Sequence, residues 1–250
     1  MFCPIEVFFL RKLAMESKVV GSMSEWSGML MDLHRQIHDG GIQKHHLRAL
    51  LERRNPFEQK AGVANIDLAK AYELCGMKAE YEAAAKSFDL TEDPSVWKLL
   101  MVKGLTFAKL AEGYRKAKVK LETFGVDLEK AIAKDKERCD PNRDGTYLTV
   151  FARNVEADEQ NANQSANERA EAKCTDITLM AQLLLELAYF LATGEHLDVI
   201  NVTQCAGSRS LSGNVPRVLW IPDDCGVYVY WSRPGCADGR LRARSEVSSS

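Results

Sequence analysis

The sequence predicts an α+β chain, with a helical N-terminal region to about residue 135 and then a region built on a small antiparallel sheet. Three observations carry this. Segments rich in Ala, Glu, Lys and Leu, with apolar residues at helical spacing, dominate the first half. A turn-rich break runs from Cys139 through Asp140, Pro141, Asn142, Arg143 and Asp144 to Gly145. The last fifty residues write one alternating pattern twice: 216–221 (Pro-Arg-Val-Leu-Trp-Ile) and 227–232 (Val-Tyr-Val-Tyr-Trp-Ser).

Taken in order, residues 24–54 read as helix, broken at Asp39, Gly40 and Gly41 and stopped at Asn55 and Pro56. Residues 64–88 read as one or two helices interrupted near Gly76. Thr91, Glu92, Asp93 and Pro94 resemble a helix start, followed over 95–120 by Val96, Leu99, Leu100, Leu105 and Leu110 at helical spacing. A short helix is expected at 126–138, a strand at 146–152 and a polar surface helix over 156–173. Thr175 and Asp176 then cap the longest apolar helix, 177–193, closed by Gly194. Strands near 199–204, 215–221, 226–232 and 240–246 complete the chain.

Along a strand, side chains alternate faces. Pro216, Val218 and Trp220 therefore share one side with Val227, Val229 and Trp231, and read as core. Arg217, Leu219 and Ile221 face the other way with Tyr228, Tyr230 and Ser232, and are expected to be exposed. A compositional gap marks the same region. Residues 205–245 contain no Lys, Glu, Gln or Met, whereas the 204 residues before them contain 51 of these four types. Strand propensity accounts for part of the gap but not for the turns. Randomising the first two bases of an asparagine codon yields Tyr, Ser, Asp, Gly, Arg, Cys, Leu, Ile and Pro, and never Lys, Glu, Gln, Met or Trp. The outward and turn positions hold only residues from that reachable set, and both Trp fall on the inward face.

Composition bounds the function. The formal net charge is −2, and 46% of residues are hydrophobic, which gives no global signal for nucleic acid or an anionic membrane. Seven scattered cysteines without a CxxC pair fit free thiols in a reducing compartment. The apolar N-terminus carries Glu6 and places Arg11 and Lys12 after its apolar run, the wrong order for a secretory signal. With no stretch approaching a membrane span, the expectation is a cytoplasmic protein; Met15 and Met23 are alternative starts.

The segments 147–153, 155–159, 165–167, 177–179, 185–187, 193–198 and 205–209 resemble a widespread family of uncharacterised bacterial proteins from small-genome, metagenome-known lineages. In that family the block leads into a tail like 215–244, with alternating Val and Trp and an end like Leu241, Arg242, Ala243 and Arg244. The tail also resembles the variable region of diversity-generating retroelement target proteins, which usually adopt a C-type-lectin-like fold. The resemblance covers about the last 110 residues well, 95–138 loosely and the first 90 hardly at all. It implies a C-type-lectin-like domain from about residue 136, with a variable ligand-binding tail at 205–245. The ligand does not come with it.

The expected site is therefore a non-catalytic binding surface for a protein or other macromolecular ligand, needing no metal or cofactor and taking no nucleic acid. Its residues are Ser210, Leu211, Arg217, Leu219, Ile221, Asp223, Asp224, Tyr228, Tyr230, Ser232, Arg233, Asp238 and Arg240. Tyrosines supply rigid aromatic contacts with polar tips, and Arg and Asp supply directional charge. The alternative is a structural module that uses the same face for a fixed protein contact. A formylglycine-generating type of enzyme is a further alternative by fold analogy, with no convincingly placed cysteine pair.

Other constellations are weaker. Asp140, Asn142, Asp144 and Gly145 match the opening of an EF-hand loop, but its twelfth position is Phe151. His34 and His38 stand four apart without a third ligand, and His45 and His46 are no stronger. His196 beside Asp198 reads as a helix-end contact, and the basic run 115–120 as a solvated helix face. There is no phosphate-binding glycine loop, GxSxG or HExxH.

Overall fold

The structure is a computed structural model that describes residues 63–247 and three helical positions, Met31, His34 and Arg35. The chain divides into two compact units, residues 1–59 and 60–250. Expectations for the N-terminal segment, for His38, His45 and His46, and for most of 24–54 fall outside the described residues. The second unit is a mixed α/β fold with two sheets.

Helices α1 (Leu68–Leu74) and α2 (Lys78–Ala85) flank Gly76, whose φ of +70° suits a residue without a Cβ. The next segment departs from expectation. Asp93 does not start a helix; its carboxylate accepts the Ser95 N–H at 2.7 Å, and β1 (Val96–Met101) follows. This strand pairs antiparallel with β3 (Tyr147–Ala152), from Val96 opposite Ala152 to Met101 opposite Tyr147. A six-residue run with five apolar residues and Lys98 fits helix or strand equally well. The partner strand, distant in sequence, decides it. Helix α3 (Phe107–Lys116) begins only at the Thr106 cap, and β2 (Lys120–Glu122) ends the segment.

The helix expected at 126–138 shrinks to one turn, α4 (Leu128–Ala131), and a 3-10 turn at Lys134–Lys136. The EF-hand-like residues form another single turn, α5 (Pro141–Asp144), in which Asp140 accepts from the Asn142 N–H and Asp144 from the Asp140 N–H. The surface helix expected at 156–173 is reduced to α6 (Ala166–Glu171), set by a Ser165–Glu168 capping box. Its upstream polar residues serve distant backbone instead. Glu156 accepts the N–H groups of Val199, Ile200 and Asn201, and the Asn161 amide donates to the Ala243 carbonyl.

Helix α7 (Leu179–Thr193) is the centre of the fold, with Leu179 to Tyr189 all buried. A helix with apolar residues on nearly every side belongs inside a protein, and its two polar residues, Gln182 and Glu186, are buried with hydrogen-bond partners. Its cap is Thr178 rather than Thr175 and Asp176, and Gly194 closes it at φ +71°. Helix α3 approaches so closely at Gly113 that a Cβ there would lie 2.8 Å from Cys75 Sγ and 3.0 Å from Leu187 Cδ2. Elements on both sides of residue 135 thus share one core, with Tyr72, Trp97, Leu110, Leu183, Val218 and Val229 all in it.

The second sheet has the order β2-β6-β5-β4-β7, with β4 (Val202–Gln204), β5 (Val215–Ile221), β6 (Gly226–Ser232) and β7 (Leu241–Arg242). It is mixed: β5 pairs antiparallel with β4 and β6, while β2 and β7 add parallel at the edges. The end of the chain is sewn into the fold by two buried ion pairs. Arg244 meets Asp198 at 2.7 Å, with both side chains 1% exposed. Arg169 holds Asp176 through two bonds, and Ser245 adds a third. Among the described residues no helix is long and apolar enough to cross a membrane.

Candidate functional site

The β5–β6 register separates the tail into the two rows that alternation predicts. Pro216 lies opposite Trp231, Val218 opposite Val229 and Trp220 opposite Val227. Val218, Val227 and Val229 belong to the core, whereas Trp220 and Trp231 are only half-buried at its margin. Trp220 stacks on His196, and His196 on Phe190. His196 Nδ1 meets the buried Glu186 carboxylate, so this histidine ties the end of α7 to the sheet.

On the other face Arg217 pairs across from Tyr230, Leu219 from Tyr228, Val215 from Ser232 and Ile221 from Gly226. Neighbouring strands widen it. Parallel pairing puts Glu122 level with Tyr228 and Lys120 level with Gly226, and β4 puts Gln204 beside Arg217.

Not all of this face is exposed, which corrects the sequence reading. Tyr228 is buried at 5% exposure. Its hydroxyl accepts from Lys120 Nζ at 2.9 Å and donates to Asp224 Oδ2 at 2.8 Å. The Tyr228 hydroxyl beside Lys120 pushes the lysine's pKa up. Ser232 is buried, with its hydroxyl directed at the Val215 carbonyl. Ser210 is buried as well, because its hydroxyl serves Ser212 and the Asn214 N–H inside a turn. Alternation assigns a face but not what covers it. Val215 is fully buried without belonging to the main core, so one end of the outer face is covered too.

The open part centres on Arg217, Leu219, Ile221 and Tyr230, all half-exposed. Phe124, 57% exposed and at φ +54°, lies over it, with ring centres 5.0 Å from Tyr230 and 5.9 Å from Tyr228. Tyr228 and Tyr230 are themselves stacked at 5.8 Å. Arg217 Nε and both amide atoms of the buried Gln204 have no hydrogen-bond partner among the described residues.

The remaining predicted residues sit on loops around this face. Asp223 and Asp224 form an exposed 3-10 turn at Pro222–Asp224. Leu211 is 71% exposed on a loop pinned by its N–H to the Ala131 carbonyl. Arg233 and Arg240 are exposed on a loop that Pro234 and Asp238 anchor, their carbonyls accepting from the Asn167 and Asn163 N–H groups. The Asp238 carboxylate is used within its own turn, by the N–H groups of Arg240 and Leu241. Sequence reasoning missed Lys120, Glu122 and Phe124, because the basic run before them reads as a helix face. The alternation of Lys120, Leu121 and Glu122 was the available signal, and three residues are too few to register it.

Among the described residues, no group of three or more His, Cys, Asp or Glu side chains is placed to hold a metal ion. Comparisons of the chain with protein-family models, curated proteins and solved structures give no match.

Proposed function

We propose that this protein is a non-catalytic, receptor-like binding protein whose C-terminal surface is diversified by a retroelement on a C-type-lectin-like scaffold. The carrying observation is the register of β5 and β6. It sends every Val and Trp of the repeated pattern to one face and Arg217, Leu219, Ile221, Tyr228 and Tyr230 to the other. The outer row and the turns hold only residues reachable from asparagine codons, and 205–245 lacks Lys, Glu, Gln and Met. Such a division tolerates change. Each buried apolar side chain stabilises the frame by roughly 1.5–3 kcal/mol, whereas exposed substitutions usually cost about 0.5 kcal/mol or less. The ligand is a protein or other macromolecule met by Arg217, Tyr230, Leu219 and Phe124, with Tyr228 as their base rather than a direct contact.

The test is the DNA flanking the gene. The expected finding is a near-copy of codons 205–245, differing mainly where the copy has adenine, beside a reverse-transcriptase gene. Differences scattered over core codons such as those of Val218 and Val229 would overturn the reading. The burial of Tyr228, Val215 and Ser232 favours a second reading, a fixed assembly contact on the same face. In that case Leu219→Asp would change the sedimentation coefficient of the purified protein, and no variable copy would be found.

A further inference from the structure

Away from the sheet face, a cleft of about 250 Å³ opens among residues 136–138, α6 and the turn after β4, with Lys136, Arg138, Cys174, Asp176, Gly207 and Arg209 on its walls. Its backbone is tightly fixed. Gly207 donates to the Ile177 carbonyl, and a Cβ at Gly207 would lie 2.4 Å from the Asp176 carbonyl oxygen. The cleft therefore has a rigid floor.

Its charges do not balance. Asp176 is committed to Arg169, and Arg138 is matched by Glu246 at 2.7 Å while its Nε donates to the Asp176 carbonyl. Two cations remain. Lys136 is exposed and has no ion pair or hydrogen bond from its ammonium group among the described residues. Arg209 is half-buried, and its guanidinium donates to the carbonyls of Ala206, Ser208 and Ala166. Glu137 accepts the Arg209 backbone N–H, but burial pushes its carboxyl up to about 8 and it forms no salt bridge with the Arg209 guanidinium. Loss of solvation lowers the Arg209 pKa, outweighing the opposing pull of the Asp176 and Glu137 carboxyls.

We propose that this cleft binds a dianionic oxyanion of the phosphate class, as the free ion or as a phosphate monoester. Two cations outside any salt bridge match a dianion, and a part-buried charge gains most from a counter-ion. A guanidinium presents a planar fork of donors to phosphate oxygens, and a lysine adds a mobile point charge. The cleft is larger than a bare oxyanion needs, which leaves room for a small organic group.

The experiment is calorimetric titration of the full-length protein with inorganic phosphate, O-phosphoserine or chloride at constant ionic strength, repeated on Lys136→Ala and Lys136→Glu. The Lys136 side chain is exposed and makes no hydrogen bond or ion pair among the described residues, so both variants should melt with the wild type. Saturable binding of one phosphate per chain, weakened roughly tenfold by Lys136→Ala and abolished by Lys136→Glu, is expected. Tighter binding of O-phosphoserine would identify a monoester, and tighter binding of phosphate the free ion. Heats no larger than those of chloride, or Lys136 variants that bind like the wild type, would overturn the proposal.

Discussion

Tyr228 and Tyr230 occupy the same face of β6 and carry the same side chain, yet the structure assigns them opposite sensitivities. Tyr228 is 5% exposed, packs against Phe124 and Tyr230, and bridges Lys120 and Asp224 through its hydroxyl. A buried aromatic side chain withdraws roughly 150–250 Å² from water, and truncating one typically costs about 3–5 kcal/mol. The lower end applies here, because one edge of the Tyr228 site meets solvent and can relax. Tyr228→Ser is therefore expected to cost about 3 kcal/mol, and Tyr228→Phe, which removes only the hydroxyl bonds, about 1 kcal/mol. Tyr230 is half-exposed, and its hydroxyl takes no part in the bonds that hold Tyr228; Tyr230→Ser should cost about 1 kcal/mol. At roughly 2–4 °C per kcal/mol for a unit of this size, Tyr228→Ser lowers the melting temperature by about 6–12 °C and Tyr230→Ser by about 2–4 °C. Thermal melts followed by circular dichroism, with chemical denaturation as a check, measure both. A Tyr228→Ser protein that melts within about 2 °C of the wild type would refute the buried-base assignment, as would a Tyr230→Ser protein that loses as much as Tyr228→Ser.

Further substitutions at three sites of the frame, Val229, the Arg244–Asp198 pair and Glu137, probe it. Val229→Asp puts a carboxylate at a fully buried core position and is expected to cost at least about 4 kcal/mol, read as loss of the cooperative unfolding transition. Arg244→Met leaves Asp198 buried without its ion partner, at a cost of about 3–5 kcal/mol in denaturant unfolding; the double change Arg244→Met with Asp198→Asn should recover part of it. Burial raises the Glu137 carboxyl from 4.5 to about 8, so the native state keeps a proton that the unfolded chain releases. That stabilisation is complete below the unfolded pKa and is lost as pH rises through the folded one, a change on the order of 4 kcal/mol. Glu137→Gln should match the wild type near pH 4 and exceed it in denaturation midpoint above about pH 8; parallel pH profiles for the two proteins would contradict this.

Local signals sufficed where the chain's own chemistry fixes its conformation. Gly76 and Gly194 stand where a positive φ is needed, and the interruption near Gly76 was readable. The predominantly apolar content of α7, broken only by Gln182 and Glu186 before its last residue, marked the longest apolar helix, and the alternation at 216–221 and 227–232 sorted the β5–β6 side chains into the two rows of the hairpin. Partners remote in sequence decided the rest. Val96–Met101 is a strand because Tyr147–Ala152 lies beside it, and the residues before α6 leave the helix because Glu156 and Asn161 bond backbone more than 40 and 80 positions away. Within the site, alternation told which way Tyr228 points, but only the arrival of Lys120 and Phe124 from β2 and its following loop made it a base rather than a contact. A side chain's direction is set by its own backbone, so the sequence determines it; its burial depends on which distant atoms come to lie over it, and that belongs to the tertiary structure alone.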